Sequence, residues 1–199
     1  LEDYQNHKLV VIAFLGAECP LAKLYGPRLQ SLANSYEPNQ VAFLGVNANC
    51  QDSITEIAAY ARIHGVSFPL LKDTGNRLAD AMSAVRTPEV FLLNEERRIA
   101  YWGRIDDQYG VGVVRKEPTR HDLKVAIDQL LAGEEVARPI QEAEGCFIGR
   151  IRKANETSDV TYANQISRIL QKRCVQCHRE GEIAPFALDK YDEVVGWAE

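Results

Sequence analysis

The chain has 199 residues, enough for one or two domains at about 100–200 residues each. At 46% hydrophobic and 26% charged residues it is not a mainly disordered chain. A net charge of −5 supplies no basic stripe to neutralise phosphates, which argues against nucleic acid as a partner. The longest apolar run, Leu9 to Leu15, is far short of the roughly 20 residues of a membrane-spanning helix. No basic leader with an apolar core opens at Leu1. Five cysteines, Cys19, Cys50, Cys146, Cys174 and Cys177, are odd in number and uneven in spacing. That usage points to redox or cofactor chemistry rather than stapling.

Strands and helices alternate from Lys8 to about Gly133. The apolar run Leu9–Leu15 reads as a strand covered on both faces. A helix is expected from Pro20 to Tyr36 with a kink at Pro27, then a second buried strand over Val41–Val46. Ser53 to His64 reads as a helix with Ile54, Ile57, Ala58 and Ala61 on one face and Gly65 as its stop. Phe68–Leu71 is short and extended, and Arg77–Val85 a short helix. Glu89–Leu93 and Ile99–Gly103, joined by polar residues, form a hairpin. Thr119 is expected to cap a last helix facing inward through Leu123, Ile127, Leu130 and Leu131, with Gly133 as its end. The order predicts an α/β domain over 1–133 whose mixed sheet is flanked by helices. A charged linker, 134–159, carries Cys146, and a short, mostly helical segment occupies 160–199.

The stretch Gly16-Ala-Glu-Cys19-Pro20 between strand and helix puts a thiol at a helix N-terminus. Backbone N–H groups and the helix dipole stabilise a thiolate there. His7, His64 and His121 have no second ligand nearby, and Asp106-Asp107 reads as turn chemistry. Taken with Val85-Arg-Thr87-Pro88 before the hairpin, the chain resembles the thioredoxin superfamily. The pieces Cys19-Pro20…Lys23, Asn47-Ala-Asn49, Thr87-Pro-Glu-Val-Phe-Leu, Gly103-Arg-Ile-Asp-Asp107 and Gly145-Cys146 are similar to its peroxiredoxin-like redoxin branch, the alkyl hydroperoxide reductase and thiol-specific antioxidant group. The resemblance covers about residues 8–150. It implies a thioredoxin-like fold, a cis Pro88 facing Cys19, and thiol–disulfide exchange on protein thiols or disulfides outside the cytoplasm, with Thr87-Pro88 docking the partner.

Three departures shape the reading. Ala22 stands where thioredoxins carry a second cysteine. Ile12 and Gly16 replace the proline and threonine of peroxidatic relatives. Arg86 replaces a cysteine before Thr87 and is a candidate to hold the Cys19 thiolate by charge. Either a resolving thiol comes from elsewhere in the chain or Cys19 has no intramolecular partner. Cys50, in the loop after the second strand, is preferred to Cys146 because parallel neighbouring strands bring that loop to the edge carrying Cys19. A non-catalytic docking scaffold and an atypical thiol peroxidase are the rival readings.

Cys174-Val-Gln-Cys177-His178 has the spacing of c-type haem attachment, with two thiols for the vinyl groups and His178 for the iron. Its surroundings resemble small cytochrome c-like domains, which implies haem c as a cofactor, electron transfer, and a redox partner protein. A dithiol or disulfide pair is the alternative. The one methionine, Met82, lies far from this motif, so a distal methionine ligand is expected beyond Glu199.

Overall fold

The computed structural model describes residues 2–110, 112–150, 157–184 and 186–197. The first of its two units, Leu1–Arg150, is built on a five-stranded sheet. Strand β1 (Leu9–Phe14) is central and buried along its whole length. It runs parallel to β2 (Val41–Asn47), and β2 runs parallel to the short β3 (Leu70–Lys72). On the other side β5 (Glu89–Leu93) pairs antiparallel with β1 and with β6 (Ile99–Gly103), giving the order β3-β2-β1-β5-β6. The dipeptide β4 (Arg86–Thr87) lies outside this sheet.

The period-2 geometry of a strand sorts the core into two layers. Leu9, Val11, Ala13 and Leu15 face α1 (Pro20–Asn34), Tyr60 of α2 (Ile54–Ile63) and α4 (Asp122–Leu131). Val10, Ile12 and Phe14 face Ala79 of α3 (Arg77–Ala81), with Ala84 and Ile148. Each large apolar side chain buried this way contributes about 1.5–3 kcal/mol. Pro20 at the first turn costs α1 no hydrogen bond, and Pro27 is carried inside the helix. A Ser53–Glu56 capping box starts α2. A small hairpin, β7 (Tyr109–Gly110) with β8 (Val113–Val114), precedes α4.

Several local expectations are corrected. The buried face of α2 is Ile57 and Tyr60, while Ile54 is 74% exposed. Helix α3 ends at Ala81, and α4 begins after His121 rather than Thr119. Thr119 instead donates through N–H to Asp107 Oδ1 at 2.8 Å. The hydroxyl of Thr119 holds the Asp107 carboxyl down at about pKa 2, helped by the N–H groups of Arg120 and Thr119.

The expected linker is the largest revision. Residues 134–150 belong to the first unit. Trp102 N–H donates to the Pro139 carbonyl and the Trp102 carbonyl accepts from Gln141 N–H, Ala143 and Ile148 are buried, and β9 (Cys146–Phe147) pairs antiparallel with β4. Part of the remaining linker, 151–156, lies outside the described residues.

The second unit, Ile151–Glu199, contains a π-helical turn (Tyr162–Ile166), α5 (Ser167–Arg173) and α6 (Tyr191–Gly196). Neither the turn nor α5 buries a residue, and Val160, Ile169, Ile183 and Trp197 are all more than half exposed. Pro185, inside the apolar segment after His178, lies outside the described residues.

Candidate functional site

Cys19 is the N-cap of α1, in extended conformation, and is only 4% exposed. The loop that carries it is tied down from below. Asp52 Oδ2, itself buried, accepts from Ala17 N–H at 2.8 Å and from the side-chain amides of Asn47 at 2.6 Å and Asn49 at 3.0 Å. Tyr60 donates to the Ala22 carbonyl at 2.6 Å, fixing the first turn of α1. The Cys19 thiol donates to the carbonyl of Thr87 at 2.9 Å, and the Thr87–Pro88 bond is cis. Buried Glu89 accepts from the N–H groups of Val85 and Arg86, which sets the approach of β4.

Burial works against ionising Cys19. The Thr87 hydroxyl, the N–H groups of Ala22 and Cys146, and the Cys146 side chain outweigh it, so the Cys19 pKa lies below the ordinary thiol value. Cys146 is pushed the other way, up to about 11, by burial and by its hydrogen bond and charge repulsion with Cys19. One thiol is thus set to attack while its neighbour keeps its proton. The pairing comes from β4 and β9, whose register sets Cys146 opposite Thr87. A Cβ on Gly145 would stand 2.0 Å from the Thr87 carbonyl oxygen, so glycine is required for this approach.

The remaining site residues fall as follows. Thr87 is fully buried, and its hydroxyl has no hydrogen-bond partner among the described residues while Cys19 is protonated. The loop after β2 does reach the Cys19 loop, but the Cys50 sulfur sits 3.5 Å from Gln51 Oε1 and its N–H binds Gly149. The cysteine paired with Thr87, whose carbonyl the Cys19 thiol bonds, is Cys146 rather than the preferred Cys50. Arg86 does not face the Cys19 sulfur; its guanidinium donates to the Gly145 carbonyl at 2.8 Å. A side chain at Gly16 would meet Asn49 Nδ2 at 2.6 Å and Thr87 Oγ1 at 3.0 Å, so the place of the peroxidatic threonine is filled. Ile12 is core. Asp52, Tyr60 and Glu89 were not singled out in the sequence. The one sequence signal near them is the Asn47-Ala-Asn49 motif, both of whose asparagines bond Asp52.

The AhpC/TSA family pattern matches residues 1–102, just over half of the chain. The chain belongs to the AhpC/TSA family. The thiol-disulfide oxidoreductase ResA of Halalkalibacterium halodurans is 30% identical over 92 residues, covering 46% of this chain and 51% of the relative. The chain therefore spans about half the length of that curated relative. A hypothetical protein of Sinorhizobium meliloti 1021 is 29% identical with a TM-score of 0.69, covering 76% of this chain and 85% of its own. An uncharacterized conserved protein of Geobacillus kaustophilus is also 29% identical, with a TM-score of 0.70 over 77% and 83% of the two chains. A thioredoxin-like protein solved in its oxidised form shares the fold, with 17% identity and a TM-score of 0.51 over 65% of this chain and 81% of that one. The first unit is thus a thioredoxin-like α/β redoxin, as the resemblance implied.

In the second unit Cys174 closes α5, and the N–H groups of Cys177 and His178 both bind the Cys174 carbonyl, curling the motif into a tight turn. His178 Nδ1 lies 3.1 Å from the Phe186 carbonyl oxygen. A carbonyl only accepts, so this contact places the proton on Nδ1 and leaves the Nε2 lone pair for a metal. Phe186 packs on the His178 ring and stacks on Trp197. Two free thiols, an oriented imidazole and exposed apolar side chains form a donor set that fits a haem. Among the described residues no helix is long and apolar enough to cross a membrane.

Proposed function

We propose that the first unit is a two-cysteine thiol–disulfide oxidoreductase acting on protein disulfides or thiols outside the cytoplasm. The observation that carries this reading is the pairing that sets Cys146 opposite Thr87, whose carbonyl accepts from the Cys19 thiol, with the two thiols driven in opposite directions of acidity. The Cys19 thiolate attacks one sulfur of a partner disulfide, and the other partner sulfur leaves as thiolate. Cys146 then loses its proton to solvent and attacks Cys19 Sγ, releasing the second partner thiol and leaving a Cys19–Cys146 disulfide. Two protein thiols are oxidised and one disulfide is reduced; the reverse sequence oxidises a partner. The name of the ResA relative supports this activity, and an oxidising compartment is where such disulfides persist. In a protein-disulfide reduction assay Cys19→Ser is expected to abolish turnover and Cys146→Ser to accumulate a Cys19-linked mixed disulfide. Wild-type turnover by Cys19→Ser contradicts the assignment.

For the second unit we propose that Cys174, Cys177 and His178 hold a c-type haem, each thiol bonded to a vinyl group and His178 Nε2 to the iron. The orientation of His178 by the Phe186 carbonyl supports this. When bound, the haem supplies one-electron transfer, which suits a redox protein as partner. Expression through an export and haem-maturation pathway is expected to give haem that survives denaturing electrophoresis. The Cys174→Ala/Cys177→Ala variant is expected to lose it. A full chain that leaves maturation without covalent haem contradicts the proposal.

A further inference from the structure

Arg86 directly precedes Thr87, and it makes no ion pair among the described residues. It spends its charge on the two neighbours of Cys146. Nη1 donates to the carbonyl of Gly145 at 2.8 Å, and the guanidinium lies 4.4 Å from the centre of the Phe147 ring. One handle precedes Cys146 and the other follows it. Farther out the segment is anchored independently, by buried Ala143 on one side and by buried Ile148, bonded to the Val85 carbonyl, on the other. Between those anchors Cys146 and Phe147 form an exposed crest whose pairing with β4 spans two residues.

The crest matters most when Cys19 carries a partner. In that mixed disulfide the Cys19 sulfur has no proton to donate to the carbonyl of Thr87, the residue paired with Cys146, so the attacking group must be presented by its own backbone. We infer that Arg86 is a positioning residue that holds Cys146 toward Cys19 for the resolving attack. The inference rests on the reading of Cys146 as the resolving thiol. Small misplacement of a reacting atom is enough to cost one to two orders of magnitude in rate.

The test uses the full chain, reduced and then pulsed with oxidised glutathione. Samples are quenched in acid, alkylated and read by peptide mass spectrometry. Cys19 attack forms the Cys19–glutathione mixed disulfide and frees one glutathione. Closure by Cys146 forms the Cys19–Cys146 disulfide and frees the second. Arg86→Ala is expected to form the mixed disulfide within about twofold of the wild-type rate and to close it at least tenfold more slowly. Phe147→Ala, which leaves Arg86 in place, is expected to slow closure in the same sense. The double variant is expected to match Arg86→Ala, and Arg86→Lys, keeping a donor without the planar stack, to fall between. Closure at the wild-type rate in both single variants overturns the inference, and so does equal slowing of attack and closure. A wild-type chain whose Cys19 never closes onto Cys146 instead removes the resolving role itself, and the two failures are told apart by that control.

Discussion

Thr87→Val isolates the contribution of one hydroxyl to the nucleophile. The side chain is fully buried, valine keeps its shape, and the hydroxyl is unpaired among the described residues while Cys19 holds its proton. On ionisation the hydroxyl donates to the sulfur, and it is the strongest of the influences that lower the Cys19 pKa. A hydrogen bond to a charged group is worth about 1.5–3 kcal/mol, and both partners here are shielded from solvent. Below the thiol pKa its loss lowers the thiolate fraction by roughly 10- to 150-fold. The remaining thiolate is more nucleophilic, with a Brønsted slope of about 0.4–0.5, so the net fall in alkylation rate is roughly three- to twentyfold. Stability moves the other way. While the thiol holds its proton, valine removes a buried unsatisfied group whose cost is about 1 kcal/mol or more, raising Tm by roughly 2–4 °C. Iodoacetamide kinetics followed at the Cys19 peptide and a thermal melt of the reduced protein provide the two readouts. An unchanged alkylation rate together with a lowered Tm refutes the reasoning.

Gly16→Ala forces a methyl against Asn49 Nδ2, Thr87 Oγ1 and Cys19 Cβ, and is expected to destabilise by about 1–3 kcal/mol in chemical denaturation, without gain of peroxide turnover. Burial and the neighbouring Cys19 push Cys146 up to about 11, above the ordinary thiol value of 9.0. Its stabilising contribution is therefore complete below pH 9 and lost as pH rises toward 11, and Cys146→Ser is expected to lose less stability than wild type across that window in parallel melts. Asp107 runs opposite, with a pKa near 2 against 3.8, so its contribution is present above pH 3.8 and lost as pH falls through 2. Thr119→Val is expected to raise the pH of acid unfolding, followed by circular dichroism.

Local signals carried the sheet. The apolar runs of β1, β5 and β6 match their strands, and the Cys19-Pro20 step marks the helix start it suggested. The reactive half of the site, Cys19 with Thr87-Pro88, was legible for the same reason: each piece sits at an element boundary with its own chemistry. The other half was not. Cys146 reaches Cys19 through a two-residue pairing between segments about sixty positions apart, and Ala143 and Ile148 are buried singly, without a period to announce them. Topology alone favoured Cys50 because it brings the loops together, yet that thiol lies beside Gln51. The inward face of α2 was misread because Tyr60 turns in to bond the Ala22 carbonyl while Ile54 stays in solvent. Thr119 looked like a cap and serves Asp107, a contact that only the folded loop creates.

The most direct test of the account is the disulfide map of the full chain after equilibration in glutathione redox buffers, read from non-reduced peptides. The account predicts a single reversible bridge in the first unit, from Cys19 to Cys146, with Cys50 remaining alkylatable throughout. A Cys19–Cys50 bridge, or a Cys19 that stays unbridged at every potential, contradicts it.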